Sequence, residues 1–142
     1  MTEVSFYVLA SGGAEERALF ACRLTEKAYA LGNRVHIHLR TEAEAAHFDE
    51  LLWSFRPSSF IPHARIEAAS PAPVTIGTAS APPPPAGDLL INLGGEVPSC
   101  FSSFLKVAEV VSTDPEVQRM TRDHYRFYRD HGYPLQTHRL RS

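Results

Sequence analysis

The sequence predicts an α/β domain: a mostly parallel sheet with helices on both faces. Three observations point there. Short runs, VSFYVL (4–9) and DLLINL (88–93), largely apolar, and RVHIHL (34–39) and LKVAEVVS (105–112), apolar in part, have the length and composition of strands. Amphipathic stretches of helical length follow several of them, which is the pattern of strand–helix–strand units. Gly, Pro and capping residues punctuate the joints.

Val4–Leu9 is apolar or aromatic at nearly every position, as in a strand covered on both faces. Ser11-Gly12-Gly13 ends it. Ala14–Leu31 then carries Phe20, Leu24, Ala28 and Leu31 on one helical stripe, and Gly32-Asn33 stops the helix. Arg34–Leu39 alternates Val35, Ile37 and Leu39 with His36 and His38, a second strand. Thr41 and Glu44 form a capping box, each side chain expected to bond the other's free backbone N–H. The helix they open buries Ala45, Phe48, Leu51, Leu52 and Phe55, and Arg56-Pro57 breaks it. Ser58–His63 reads as a loop, Val74–Gly77 as a short strand, and Ala79–Gly87 as an exposed, extended proline connection. Asp88–Leu93 is a buried strand, Pro98–Phe104 a short helix or turn, and Leu105–Ser112 another strand. A last helix begins at Asp114-Pro115, a favourable N-cap and first-turn pair. Gly132 ends it, and Tyr133–Ser142 reads as a polar tail. One domain over 1–142, with an irregular Pro-rich excursion at about 56–87, accounts for the pattern.

Composition excludes several classes. At 44% hydrophobic and 21% charged, the chain is an ordinary globular one. No apolar run approaches the ~20 residues of a membrane span, and the start lacks the basic region of a signal peptide, so a cytoplasmic location is expected. Cys22 and Cys100 stand far apart and read as reduced structural thiols. The net charge of -2 hides an asymmetry: residues 1–118 carry 8 Lys/Arg against 14 Asp/Glu, and residues 119–142 carry six Arg against two Asp. A basic end on an acidic body suits a local acidic target better than a broad nucleic-acid footprint.

Catalytic signatures are sparse. Ser11-Gly12-Gly13 sits where phosphate loops lie but contains neither G-x-x-x-x-G-K-[ST] nor G-x-G-x-x-G, and Gly94-Gly95 is no better. His36 and His38 share one strand face without further ligands at metal spacing, so they read as solvent-facing or packing residues. No nucleophile elbow or Cys/His pair is recognisable. No cofactor or metal is therefore expected.

Two clusters stand out. Arg119, Arg122, Arg126 and Arg129 recur in Asp114–His131 at spacings of three, four and three. At about 100° per residue they fall within an arc of roughly 80°, opposite Val117, Met120, His124, Phe127 and His131 and with Tyr125 at the edge. No Arg in the row has an acidic residue four positions before it, so internal ion pairing is expected to be poor. Such a row is either a solvated face or a site for a ligand carrying carboxylates and one apolar group. Trp53, Phe55, Phe60, Ile61 and Pro62 form the second cluster, either a loop folded onto its own core or a protein-binding patch.

Together these segments resemble the chi subunit of bacterial DNA polymerase III. The resemblance runs in order through FYVL (6–9), GNRVHIHL (32–39), ELLWSFRPSSFIPH (50–63), DLLINL (88–93), VAEVV (107–111) and RDHYRFYRDHGY (122–133). It implies a nucleotide-binding-like fold without a phosphate loop, and a non-catalytic accessory subunit of the clamp-loader assembly. It implies two partners: the psi subunit, and the acidic C-terminal tail of single-stranded DNA-binding protein (SSB), which ends in Asp and Phe. By position, Arg122 and Tyr125 match the tail-binding Arg and Tyr, Arg126 a second basic residue, and Val111 the wall for the terminal Phe. Gln118 stands where a well-studied form of the family has Lys, and neighbouring Arg119 is the candidate replacement. Trp53 and Phe60 match psi-contacting positions, with Phe55 and Pro62 beside them; a helicase is a further candidate partner there. The alternatives are an enzyme with a cryptic nucleotide or metal site, and a direct binder of single-stranded DNA, which the acidic body opposes.

Overall fold

The computed structural model describes residues 1–140. Seven strands form one wholly parallel sheet: β1 (Glu3–Val8), β2 (Val35–Leu39), β3 (His63–Arg65), β4 (Val74–Thr78), β5 (Gly87–Leu93), β6 (Phe104–Val111) and β7 (Leu135–Arg139). Their spatial order is β3-β4-β2-β5-β6-β1-β7. Three helices cover it, α1 (Ala14–Ala30), α2 (Glu42–Ser54) and α3 (Pro115–Asp130), with short 3-10 turns at Ile66–Ala68 and Phe101–Ser103.

Side-chain alternation along the strands divides the interior into two layers. Ile37, Ile76, Leu89, Ile91, Ala108 and Val110 pack against Ala21, Cys22 and Ala28 of α1 and Ala45, Phe48 and Leu52 of α2. On the opposite face Val4, Phe6, Leu90, Val107 and Val111 pack against Tyr128 of α3 and against Phe101. All five residues of β2 are buried, because this strand is central and covered on both sides. His36 and His38 are thus packing residues. His36 Nδ1 lies 2.7 Å from Thr75 Oγ1, and burial, reinforced by His38, pushes its pKa down to about 3. His38 Nε2 meets Glu96 at 2.8 Å. Cys22 and Cys100 are free, and burial pushes the Cys22 thiol up to about 12.

Local chemistry sets the helix ends. Gly32, at φ 85°, closes α1, with Asn33 N–H donating to the Ala28 carbonyl at 3.0 Å. Thr41 Oγ1 accepts from Glu44 N–H at 3.1 Å. The capping box is only half formed, because the Glu44 carboxylate turns to Arg40. Asp114 Oδ1 accepts from the N–H groups of Glu116 (2.8 Å) and Val117 (3.2 Å), and Pro115 occupies the first turn of α3.

Two expectations are corrected. Ser58–His63 is a loop only to Pro62, since His63 begins the edge strand β3. The larger correction is at the C-terminus. Residues 135–139 are β7, hydrogen-bonded in parallel to β1, and only the last two residues of the expected tail lie outside the described residues. LQTHR hides its state because four of its five residues are exposed at the sheet's rim. Its backbone pairs with β1, a strand 131 positions earlier (Val4↔Leu135), so no local apolar pattern was required. No helix among the described residues is long and apolar enough to cross a membrane.

Candidate functional site: a groove between the Arg helix and the edge strand

α3 buries Met120, Thr121, His124 and Tyr128, while His131, expected on that face, is exposed. Tyr125, Gln118 and Arg122 follow Thr121 around the helix at about 40°, 60° and 100°. Met120 and Phe127 lie on the other flank. Phe127 stacks edge-on against Phe101, ring centroids 5.6 Å apart, so that flank faces the entry to β6. Tyr125 makes its edge-on contact with Phe6 of β1 at 5.3 Å. The Tyr125–Arg122 flank therefore overhangs β1 and, beyond it, β7.

Strand register supplies the floor. Val111, Val8 and Arg139 are in-register neighbours on β6, β1 and β7, and Glu109, Phe6 and Thr137 form the next row. In-register neighbours point to one side of a sheet. The alternate residues confirm the sidedness: His138 stacks on Tyr7 at 4.9 Å, and Tyr7 on Phe20 of α1, on the opposite face. The result is a groove with α3 as one wall and β7 as the other. Phe6 and the half-buried Val8 floor it, and Val111 lies buried at its inner end. Tyr125, 38% exposed, is its aromatic rim.

The Arg row is not uniform. Arg119 pairs with Glu116 and lies 3.8 Å from Asp123, Arg126 lies 3.2 Å from Asp123, and Arg129 lies 3.1 Å from Asp130. Pairing within the helix is thus better than expected, because the partners sit three positions before Arg119 and Arg126, four after Arg119 and next to Arg129, none of them four positions before an Arg. Arg122 makes no ion pair among the described residues. Arg119 and Arg126 project to solvent, about 160° and 140° around from Thr121. Gln118 is exposed beside Arg122.

Beneath the groove lies a polar cluster with no counterpart in the sequence reading. Glu109 is fully buried. Its carboxylate accepts from Asn92 Nδ2 at 2.8 Å, Tyr128 Oη at 2.8 Å and His124 Nδ1 at 2.9 Å. His124 Nε2 donates to the Gly95 carbonyl at 3.1 Å. Both ring nitrogens thus face acceptors, which an imidazolium satisfies. Burial opposes that charge, but Glu109 and the Gly95 carbonyl outweigh it and hold the His124 pKa above its ordinary value. Burial and Glu109 together raise the Tyr128 pKa. The cluster ties α3 to β5 and β6. A glutamate inside VAEVV was its one visible sign, a charge in an otherwise apolar strand.

The second candidate surface is on α2 and the loop after it. Trp53 is 51% and Phe60 69% exposed, with centroids 5.6 Å apart. Trp53 also stacks on His63 at 4.3 Å. His63 donates Nδ1–H to the Ile61 carbonyl at 2.7 Å, while Nε2 lies 3.2 Å from Asp49 without hydrogen-bond alignment. Ile61 is buried, and Phe55 packs half-buried against the core beneath the Arg56 guanidinium. Pro62 is half-buried. The two readings of this cluster therefore divide by residue: Ile61 and Phe55 anchor the loop, and Trp53 and Phe60 present a free aromatic pair.

The fold and its two surfaces define a parallel α/β domain that carries an Arg-flanked groove and, apart from it, an exposed aromatic pair. Comparison with known proteins identifies the family. Residues 1–136 match the family described as DNA polymerase III chi subunit, HolC. The DNA polymerase III subunit chi of Pseudomonas aeruginosa is 46% identical over 140 residues, covering 99% of this chain and 98% of that protein. Those of Haemophilus influenzae and Escherichia coli are 31% and 27% identical, over 93% and 96% of this chain and 93% and 97% of theirs. Among solved structures, T4 UvsW superposes with a TM-score of 0.69 at 6% identity, over 99% of this chain and 42% of that one, a likeness of fold alone. This chain belongs to the DNA polymerase III chi subunit family, replication accessory subunits of that holoenzyme.

Proposed function

We propose that this chain links the clamp loader, through psi, to the acidic C-terminal tail of SSB. The observation that carries the tail half is the groove. Arg122, without a carboxylate partner among the described residues, stands beside Tyr125 above a floor of Phe6 and Val8. An extended peptide ending in an aromatic residue and a free carboxylate matches both features. Arg122 takes the terminal carboxylate, and Tyr125, Val8 and Val111 enclose the ring. Arg126 and Arg119, already paired to Asp123 and Glu116, contribute mainly to the field that draws the acidic peptide in. The Trp53–Phe60 pair, with Phe55 and Pro62 below, is the psi surface.

After the cost of ordering a flexible peptide, micromolar affinity, about -8 kcal/mol, fits such a site, and exposed charges make it salt-sensitive. Calorimetry with an SSB-tail peptide tests the reading. Arg122→Ala and a peptide lacking its terminal Phe are each expected to lose at least about tenfold. Wild-type affinity in either case defeats it. Binding of a single-stranded oligonucleotide in preference to the peptide would favour the direct DNA reading.

A further inference from the structure

We infer that Arg139, on the edge strand, is the second cation of the tail groove, meeting an acidic side chain upstream of the terminal Phe. This rests on the proposed tail site and adds to it a residue outside α3.

The argument begins with a deficit. Gln118 is uncharged, and Arg119, its neighbour on the helix, projects to solvent and is engaged by Glu116 and Asp123. A peptide carrying several carboxylates then meets only Arg122 on the groove side of α3. The opposite wall supplies the charge. Arg139 is exposed and makes no ion pair among the described residues. Its register partner is Val8, the floor residue beside Val111. The stacking of His138 on Tyr7 fixes the strand's sidedness, so Arg139 faces α3 rather than α1.

The two cations also stand at the same level. α3 starts from the C-terminal end of β6 and returns to the start of β7, so it runs against the strands. Arg122 is about one turn, ~5 Å, above Tyr125. Arg139 is two residues, ~7 Å, above Thr137, which is level with the Tyr125-contacting Phe6. Arg122 and Arg139 therefore flank Val8 from either side, closing one end of the groove with positive charge. Thr137, level with Phe6 on the edge strand, is small. The Leu140 N–H, bonded to the Val8 carbonyl at 2.9 Å, holds the strand firmly through this level.

The test uses full-length protein and SSB-tail peptides, native or with upstream Asp replaced by Asn, in fluorescence anisotropy. Arg139→Gln removes the charge and keeps a polar, flexible side chain at an exposed strand position. It is expected to bind the native peptide roughly three- to tenfold more weakly than wild type, with the gap closing as salt rises. With the Asn peptide the two proteins should bind equally, and Arg139→Lys should recover most of the native-peptide affinity. Unchanged affinity of Arg139→Gln for the native peptide overturns the inference. So does a loss that persists undiminished with the Asn peptide, which marks a structural effect, or a selective loss of oligonucleotide binding, which assigns Arg139 to nucleic acid. If wild type ignores the native peptide, the tail site itself fails; if Arg122→Ala loses binding and Arg139→Gln does not, only this inference fails.

Discussion

The His124 Nδ1–H donates to Glu109 Oε1 at 2.9 Å, with the carboxylate wholly buried and the imidazole nearly so. This pair fastens α3 to β6 one residue away from Tyr125. Close packing already resists rotation of the helix, and a buried charge that must keep its partner adds a directional constraint. The position of the groove's Tyr125 wall thus depends on a buried pair beneath it.

Replacing Glu109 by Gln keeps the volume and removes the counter-charge. The expected result is a loss of about 3 kcal/mol in stability near neutral pH, read by urea denaturation. A loss below about 1 kcal/mol would mean that the pair is neutral and dispensable.

The same pair has a pH signature of definite sign. The His124 pKa is raised on folding. Its contribution is fully present below the unfolded value, about 6.5, and is lost as pH rises through the folded value. The stability gap between wild type and Glu109→Gln should therefore narrow on the alkaline side. Titration of the ring by NMR should show it protonated at pH 6.5.

His36 acts in the opposite direction. Its folded pKa, about 3, lies below the unfolded 6.5, so its neutral burial is favourable above pH 6.5 and penalised as pH falls toward 3. At pH 5 the penalty is about 2 kcal/mol. His36→Asn should be less stable than wild type at pH 7.5 and lose less on acidification, in denaturation curves at the two pH values. Parallel losses in the two proteins would contradict a buried neutral imidazole.

Trp53 is half-exposed, Phe60 largely so, and neither belongs to the core clusters, so their removal should leave the fold intact. Trp53→Ala, which uncovers His63, is expected to cost about 1–2 kcal/mol in stability, to leave tail-peptide affinity unchanged and to abolish co-purification with psi. Undiminished psi capture by Trp53→Ala/Phe60→Ala would move that interface elsewhere.

Much of the architecture was legible in the sequence. The runs at 4–9, 34–39, 88–93 and 105–112 became interior strands of the sheet because their apolar residues face covered surfaces, with His36, His38 and Glu109 buried against polar partners. The spacing of α3's apolar residues and its Asp114-Pro115 start located the Arg helix, because capping and periodicity are local properties. Local rules also showed which way the Arg row points. Which members are available is also partly local: the i,i+3 carboxylates Glu116 and Asp123 engage Arg119 and Arg126, a spacing that a search four positions back overlooks. Only tertiary structure brought in the pocket's floor, which comes from β1, more than a hundred residues away. It alone made a strand of LQTHR, whose polar rim residues carry no apolar signature, and so gave the groove its second wall. It alone gathered Glu109, His124, Tyr128 and Asn92 into one cluster, because a buried charge is defined by its neighbours across the sheet.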